Sequence, residues 1–164
     1  MAHDQLVAWL DDAYAMESGL IPILQNHAQA FEDAMPEAAA RLRQHISETR
    51  VHADRLEQCL RTLNATPSVT KSTLSSVMGT VEGMSTAMFR DELVKNALAD
   101  YGGEQIEVAC YTALVTSAIE LGYPDIAHAC QQNLKEDEEM ASWLKQQIPR
   151  VVAVMLKKET TPRR

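Results

Sequence analysis

Four long stretches of this chain repeat apolar side chains every three or four residues. Leu6, Leu10, Ala13, Leu20, Leu24 and Phe31 fall in one row, with Glu17 and His27 in the same row. A row of that period shares one face only in a helix, because a strand sends successive side chains to opposite faces. The pattern predicts a first helix from about Asp4, its N-cap, to Phe31. Pro22 lies inside it and is expected to kink it, freeing the carbonyl of Ser18.

The second helix opens at Met35-Pro36-Glu37, with proline at a first-turn position. Its row is Ala38, Leu42, His45, Thr49, His52, Leu56, Cys59 and Leu63. Glu48 flanks that row, and at helical rotation His45, Glu48 and His52 fall within roughly 60° of one another. The third helix runs from Asp91 to Leu121 and closes at Gly122. Its row is Leu93, Ala97, Asp100, Glu104, Glu107, Tyr111, Val115 and Ala118. The fourth opens at Tyr123-Pro124. Ile126, Ala129, Met140, Trp143 and Leu144 mark its apolar side, and Glu136 and Glu139 are placed on the same sector. Pro149 is expected to interrupt it before Val151–Leu156.

Between the second and third helices, Asn64–Thr73 reads as a loop. Leu74–Phe89, rich in Met, Ser and Gly, reads as a short helical connector crossing the bundle end. Its methionines are assigned to packing. No strand pattern is present, and six glycines and six prolines are few for an all-β chain. The expectation is an all-α four-helix bundle with a long connector between the second and third helices. One domain would cover residues 1–156, followed by a basic mobile tail over 157–164.

Composition narrows the function classes. Hydrophobic residues make up 46% of the chain, which excludes general disorder. The net charge of −8 disfavours nucleic acid, whose phosphates need clustered Lys and Arg. The three cysteines, Cys59, Cys110 and Cys130, form no CxxC motif and are expected to be reduced and packed on helices. No run approaches the ~18 apolar residues of a membrane span. The N-terminus lacks a basic segment followed by an apolar one, so a cytoplasmic location is expected.

The acids carry the functional argument. Glu17 on the first helix, Glu48 with His52 on the second, Glu104 and Glu107 on the third, and Glu136 and Glu139 on the fourth are all expected to face inward near mid-length. A buried ionised carboxylate costs several kcal/mol unless compensated. Arg50 and Arg55 are expected to project elsewhere. Two cations would resolve the mutual repulsion. Ferritin-like di-iron and di-manganese proteins use such carboxylates, with Glu-x-x-His pairs on two of their helices. Oxygen ligands with a few imidazoles suit iron or manganese better than zinc. Tyr111 or Tyr101 is a candidate hydrogen-bond or electron donor near the site, and packing is the plainer role for either. Asp100 is read as a residue supporting a ligand or as a solvated acid. His45 is read as supporting Glu48 or as a buried histidine bonded to a neighbour. His27 is given no acid partner.

The runs Trp9–Glu17, His45–Thr49, Glu104–Thr112 and Trp143–Pro149 resemble the YciE/YciF type of bacterial stress-associated ferritin-like proteins, nearer the YciE branch. The likeness spans about residues 5–150, and the third-helix run is its most specific part. The resemblance implies a homodimeric ferritin-like bundle with a di-iron centre and a role in general or oxidative stress. It places Glu17, Glu48, Glu104, Glu107 and Glu136 at ligand stations. The chain departs from the pattern at Val51, where His52 is the substitute, and at Glu139, where histidine is expected. The expected cofactor is two metal ions, iron ahead of manganese. The expected reactants are peroxide or oxygen, with iron binding or detoxification as a second use. The alternative is a non-enzymatic stress or interaction protein whose site is structural or metal-free.

Overall fold

The computed structural model describes residues 2–68 and 91–160. These form four helices: α1 Ala2–Phe31, α2 Pro36–Thr62, α3 Glu92–Glu120 and α4 Pro124–Thr160. The expected connector helix over 74–89 lies outside the described residues, as does the end of the expected tail, 161–164. Helix α4 continues to Thr160, so the tail's first residues are helical rather than loose. Pro149 lies inside α4 without ending it, and Pro22 lies inside α1.

The helix ends are set locally. Asp91 caps α3, its carboxylate accepting the Val94 amide at 3.1 Å. Gly122, at φ 78°, closes α3: Tyr123 N–H donates to the Ala118 carbonyl at 2.8 Å and Gly122 N–H to Ile119 at 3.0 Å. Helix α2 ends in the same motif, with Asn64 in the left-handed position at φ 59°. There Ala65 N–H donates to the Leu60 carbonyl at 2.9 Å.

Helices α1 and α2 pack as one hairpin and α3 and α4 as another. The hairpins meet through α1 against α3 and α2 against α4. Contacts between His27 and Asp100, Glu17 and Tyr111, and His3 and Tyr123 show that α1 and α3 run antiparallel. Helix α2 therefore ends at the opposite end of the bundle from the start of α3. Residues 69–90 thus join opposite ends of the bundle, as the expected crossover requires. Ser68, just before them, lies against α1: its N–H donates to Asp11 Oδ1 at 2.6 Å.

The core is divided in two. One apolar cluster holds Leu6, Leu10, Leu56, Leu60, Leu114 and Ile126 at one end. The other holds Leu20, Leu24, Phe31, Leu42, Val94 and Leu144 at the other end. Between them lies a layer of buried polar residues: Glu17, His45, His52, Glu104, Glu107, Asn133 and Asp137. Each apolar cluster clamps all four helices, so the polar layer is held from both sides.

Leu56→Ala tests that division. Leu56 is fully enclosed in the first cluster, and its truncation should cost about 2–5 kcal/mol in urea unfolding. The polar layer should be left in place, so metal uptake per folded chain should be unchanged.

Candidate metal centre

Every helix contributes to the polar layer, and the heptad-like spacing of the buried faces decides which residue. On α4 the buried row is Ile126, Cys130, Asn133, Asp137, Met140, Leu144, Gln147 and Val151, alternating steps of four and three. Asp137 therefore points inward. Glu139 sits about 160° around the helix from it, is 65% exposed and pairs with Lys135 at 3.8 Å. This corrects the sequence reading of α4, which placed Glu139 on the inward sector. Asp137 was missed because it stands in an unbroken acidic run, Glu136 to Glu139. The spacing of Cys130, Asn133, Asp137 and Met140 was the signal that could have found it.

Two groups of potential ligand atoms meet in the layer. Glu17, His52 and Asp137 form one; His45, Glu104 and Asp137 form the other. Within each, one ligand atom from every residue lies within 4.8 Å of the others, and all five residues are buried. Asp137 belongs to both. His52 Nδ1 is 3.2 Å from Glu17 Oε1 and 3.4 Å from Asp137 Oδ1. His45 Nε2 is 2.7 Å from Glu104 Oε1. Glu107, one turn beyond Glu104, is buried beside the same carboxylates.

Glu48 and Glu136, expected in the centre, stand behind the two histidines instead. Glu48 Oε2 lies 3.1 Å from His45 Nδ1 and also accepts from Arg41 at 3.1 Å. Glu136 Oε2 lies 2.8 Å from His52 Nε2, and Arg55 donates to both Glu136 oxygens at 3.1 and 3.2 Å. Arg55, which the sequence reading sent elsewhere, also donates to Asn133 at 2.8 Å. The two halves repeat one device: an arginine holds a glutamate, and the glutamate holds a histidine. Tyr111 lies wholly inside, donating its hydroxyl to Glu17 and accepting from Asn133 Nδ2 at 2.9 Å. Tyr101 packs on the apolar cluster rather than in the layer. His27, given no partner from sequence, lies 2.5 Å from Asp100 across α1 and α3. Sequence spacing cannot show such contacts, since the partners lie on different helices.

The electrostatics follow from burial. Desolvation lifts Asp137 to about 10, aided by the neighbouring Glu17 and Glu104. Glu107 is lifted well above its ordinary value by burial first and then by Glu104 and Glu17. Glu104 is raised by burial against the opposing pull of His45. Burial works against a charged His45, yet Glu104 and Glu48 outweigh it and raise its value to about 10. His52 is raised in the same way: burial opposes its charge, and Glu17 and Glu136 overcome it. Glu48, hydrogen-bonded by His45 first and by Arg41, drops to about 2. Protons retained on Asp137 and Glu107 relieve repulsion within the layer.

The donor set fits metal ions. Glu17 Oε2, Glu104 Oε2 and both Asp137 oxygens are buried without a hydrogen-bond partner. Buried polar atoms are seldom left so. Four such oxygens aimed into one layer, with two imidazoles beside them, form a set that hard or borderline cations satisfy.

Comparison with known proteins identifies the family and the fold. The model of a family described as "Domain of unknown function (DUF892)" matches residues 1–156, and the chain belongs to that family. A crystal structure of a Xanthomonas campestris protein is 32% identical, covers 98% of this chain and all of its own, and superposes with a TM-score of 0.84. The Escherichia coli stress protein YciF is 21% identical over 93% of this chain and 98% of its own, with a TM-score of 0.79. A bacterioferritin from Desulfovibrio desulfuricans, whose diiron site was captured in different catalytic states, is 15% identical. It covers 93% of this chain and 82% of its own, with a TM-score of 0.74. The fold is a ferritin-like four-helix bundle.

The buried protons give a signed pH dependence. The folded-state value of Asp137 lies above its ordinary 3.8, so its contribution is complete below about pH 4 and is lost as pH rises through about 10. His45 has the same sign between 6.5 and about 10. Metal-free protein should therefore melt at a lower temperature at pH 10 than at pH 7. Asp137→Asn should flatten that slope in a thermal-unfolding series.

Proposed function

From membership of that family and the two ligand groups, we propose that this chain is a di-metal carboxylate protein of the bacterial stress response, handling peroxide, oxygen or iron. The observation that carries the reading is Asp137, a buried carboxylate shared by two Glu–His groups with both oxygens free of hydrogen bonds. One carboxylate serving two groups of donors is what a pair of neighbouring cations requires. Glu17 and His52 would hold one ion, and His45 and Glu104 the other. Asp137 would be common to both, and Glu107 is the remaining buried acid of the set. Iron comes before manganese as the expected occupant. The bacterioferritin with a diiron site shares the fold with this chain, which bears on a di-metal site but not on that order.

Bound ions would supply redox chemistry at a site enclosed by protein. The chain's own residues bind and orient. Glu48 and Glu136 fix the ring orientation of His45 and His52, each glutamate being anchored by an arginine. Such partners fix the ring and raise the basicity of its ligating nitrogen. Glu139 has no part in the set. Tyr111 donates to Glu17, leaving Glu17 Oε2 for an ion. The apolar clusters above and below exclude bulk water from the layer.

Metal binding must displace the protons held by Asp137, Glu107, His45 and His52, because carboxylates and imidazoles ligate in their deprotonated forms. Anaerobic addition of Fe²⁺ to metal-free protein in weak buffer should release several protons per chain. Elemental analysis of protein purified without chelator should give about two iron or manganese ions per chain. Asp137→Asn should lower that content in both groups, whereas Glu139→Gln should leave it unchanged. A chain that takes up no metal after Fe²⁺ addition would overturn the reading. The non-enzymatic stress or interaction role would then take its place.

A second measurement separates redox handling from a structural site. If the ions react, hydrogen peroxide should oxidise the Fe²⁺-loaded protein with second-order kinetics that Asp137→Asn abolishes. Loaded protein inert to both peroxide and oxygen would leave metal with only a stabilising role.

A further inference from the structure

A centre enclosed by two apolar clusters needs a way in, and the α1–α3 seam contains the features of one. A cavity of about 10 Å³ lies there, bounded by Leu24 and His27 of α1 and by Asp100, Gly103, Glu104 and Glu107 of α3. That volume holds about one water molecule. The three acids follow one another at steps of four and three along α3, so they share a face and span about 10 Å of helix. Asp100 begins the series beside His27, the more exposed partner of that pair. Glu104 ends in the centre, against His45.

Two of these acids have an unused oxygen. Asp100 Oδ1 is held by His27 at 2.5 Å, but Asp100 Oδ2 is buried without a hydrogen-bond partner. Glu104 Oε1 meets His45, but Glu104 Oε2 is likewise without a partner. Both residues are more than nine-tenths buried and both line the same cavity. Unpaired carboxylate oxygens at successive turns of one seam form a stepped series of hard donors.

We propose that this seam is the entry route to the di-metal centre, with Asp100 and His27 forming a transit site for a divalent first-row cation. The inference rests on the di-metal reading of the layer. A cation would pass from the Asp100–His27 pair to Glu104, and from there into the group that Glu104 shares with His45 and Asp137. The size of the cavity supplies selectivity. An ion must shed most of its water to occupy about one water's volume, and Mg²⁺ sheds water reluctantly. Imidazole at the mouth favours iron or cobalt over magnesium in the same sense. The acidic lining raises the local concentration of cations.

Gly103 makes the route testable without touching a ligand. Gly103 lines the cavity, and a Cβ built there meets no atom within 4 Å, so a methyl group fits without a clash. In the interior of a helix alanine is favoured over glycine, and Gly103→Ala should melt no lower than the natural chain.

The probe is Co²⁺ added anaerobically to metal-free protein. Its visible absorbance follows the rate of loading, and elemental analysis gives the final content. The natural chain should take up about two ions. Asp100→Asn should reach the same final content about tenfold more slowly, and Gly103→Ala, which adds bulk to a residue lining the cavity, should also load more slowly. Natural rates in both variants would overturn the route and leave the di-metal reading standing. A lower final content at a natural rate in Asp100→Asn would also overturn it, since Asp100 would then belong to the centre itself. Failure of the natural chain to take up Co²⁺ would overturn the route together with the reading on which it rests.

Discussion

Four buried carboxyl groups and two buried imidazoles share one layer of this bundle, and the rest of the structure is arranged around that burden. Glu17, Glu104, Glu107 and Asp137 lie with His45 and His52 at a few per cent exposure or less. Taking an ion out of water costs several kcal/mol even after relaxation. The layer meets that cost in three ways. Histidines pair with acids across helices. Protons remain on the acids with the strongest repulsion. Four oxygens make no hydrogen bond and are open to a cation. An apolar core of the same volume is often as stable or more so, so stability by itself does not account for the layer.

The two halves of the layer use the same chain of contacts. Arg41, Glu48 and His45 form one; Arg55, Glu136 and His52 form the other. In each, the charged end reaches the partly exposed rim and the imidazole reaches the interior. The arginine and glutamate keep much of their hydration while the histidine gives its up. Six residues therefore fix two ring orientations, although only two of the six are deeply buried. The apolar clusters on either side prevent the helices from sliding and changing that register.

Much of this was legible from spacing. The period of the apolar rows defined four helices, and their ends fell at Pro36, Asp91, Gly122 and Pro124 because cap and turn chemistry is local. Glu17, Glu104 and Glu107 were placed inward correctly, since on α1 and α3 the flanking apolar residues leave one choice of face. The reading failed where the local pattern was degenerate. In the run Glu136-Asp137-Glu138-Glu139 every position is acidic but one faces inward, and only the phase set by Cys130, Asn133 and Met140 identifies it. Arg55 and His27 were misjudged for another reason. Each pairs with a residue more than seventy positions away, on a helix that the sequence does not place beside it.

By itself, the sequence determined the helices, their ends and the presence of too many inward acids for an inert core. Those properties depend on residues within a turn or two of one another, where helical geometry alone fixes which side chains share a face. Only the tertiary structure decided which acids meet. Helix phase, antiparallel packing of α1 on α3 and of α2 on α4, and the crossover between the hairpins together made Asp137 common to two groups and put Glu48 and Glu136 behind the histidines. Distances of a few ångströms between residues far apart in the chain arise from packing, and packing is a property of the whole core rather than of any segment of it.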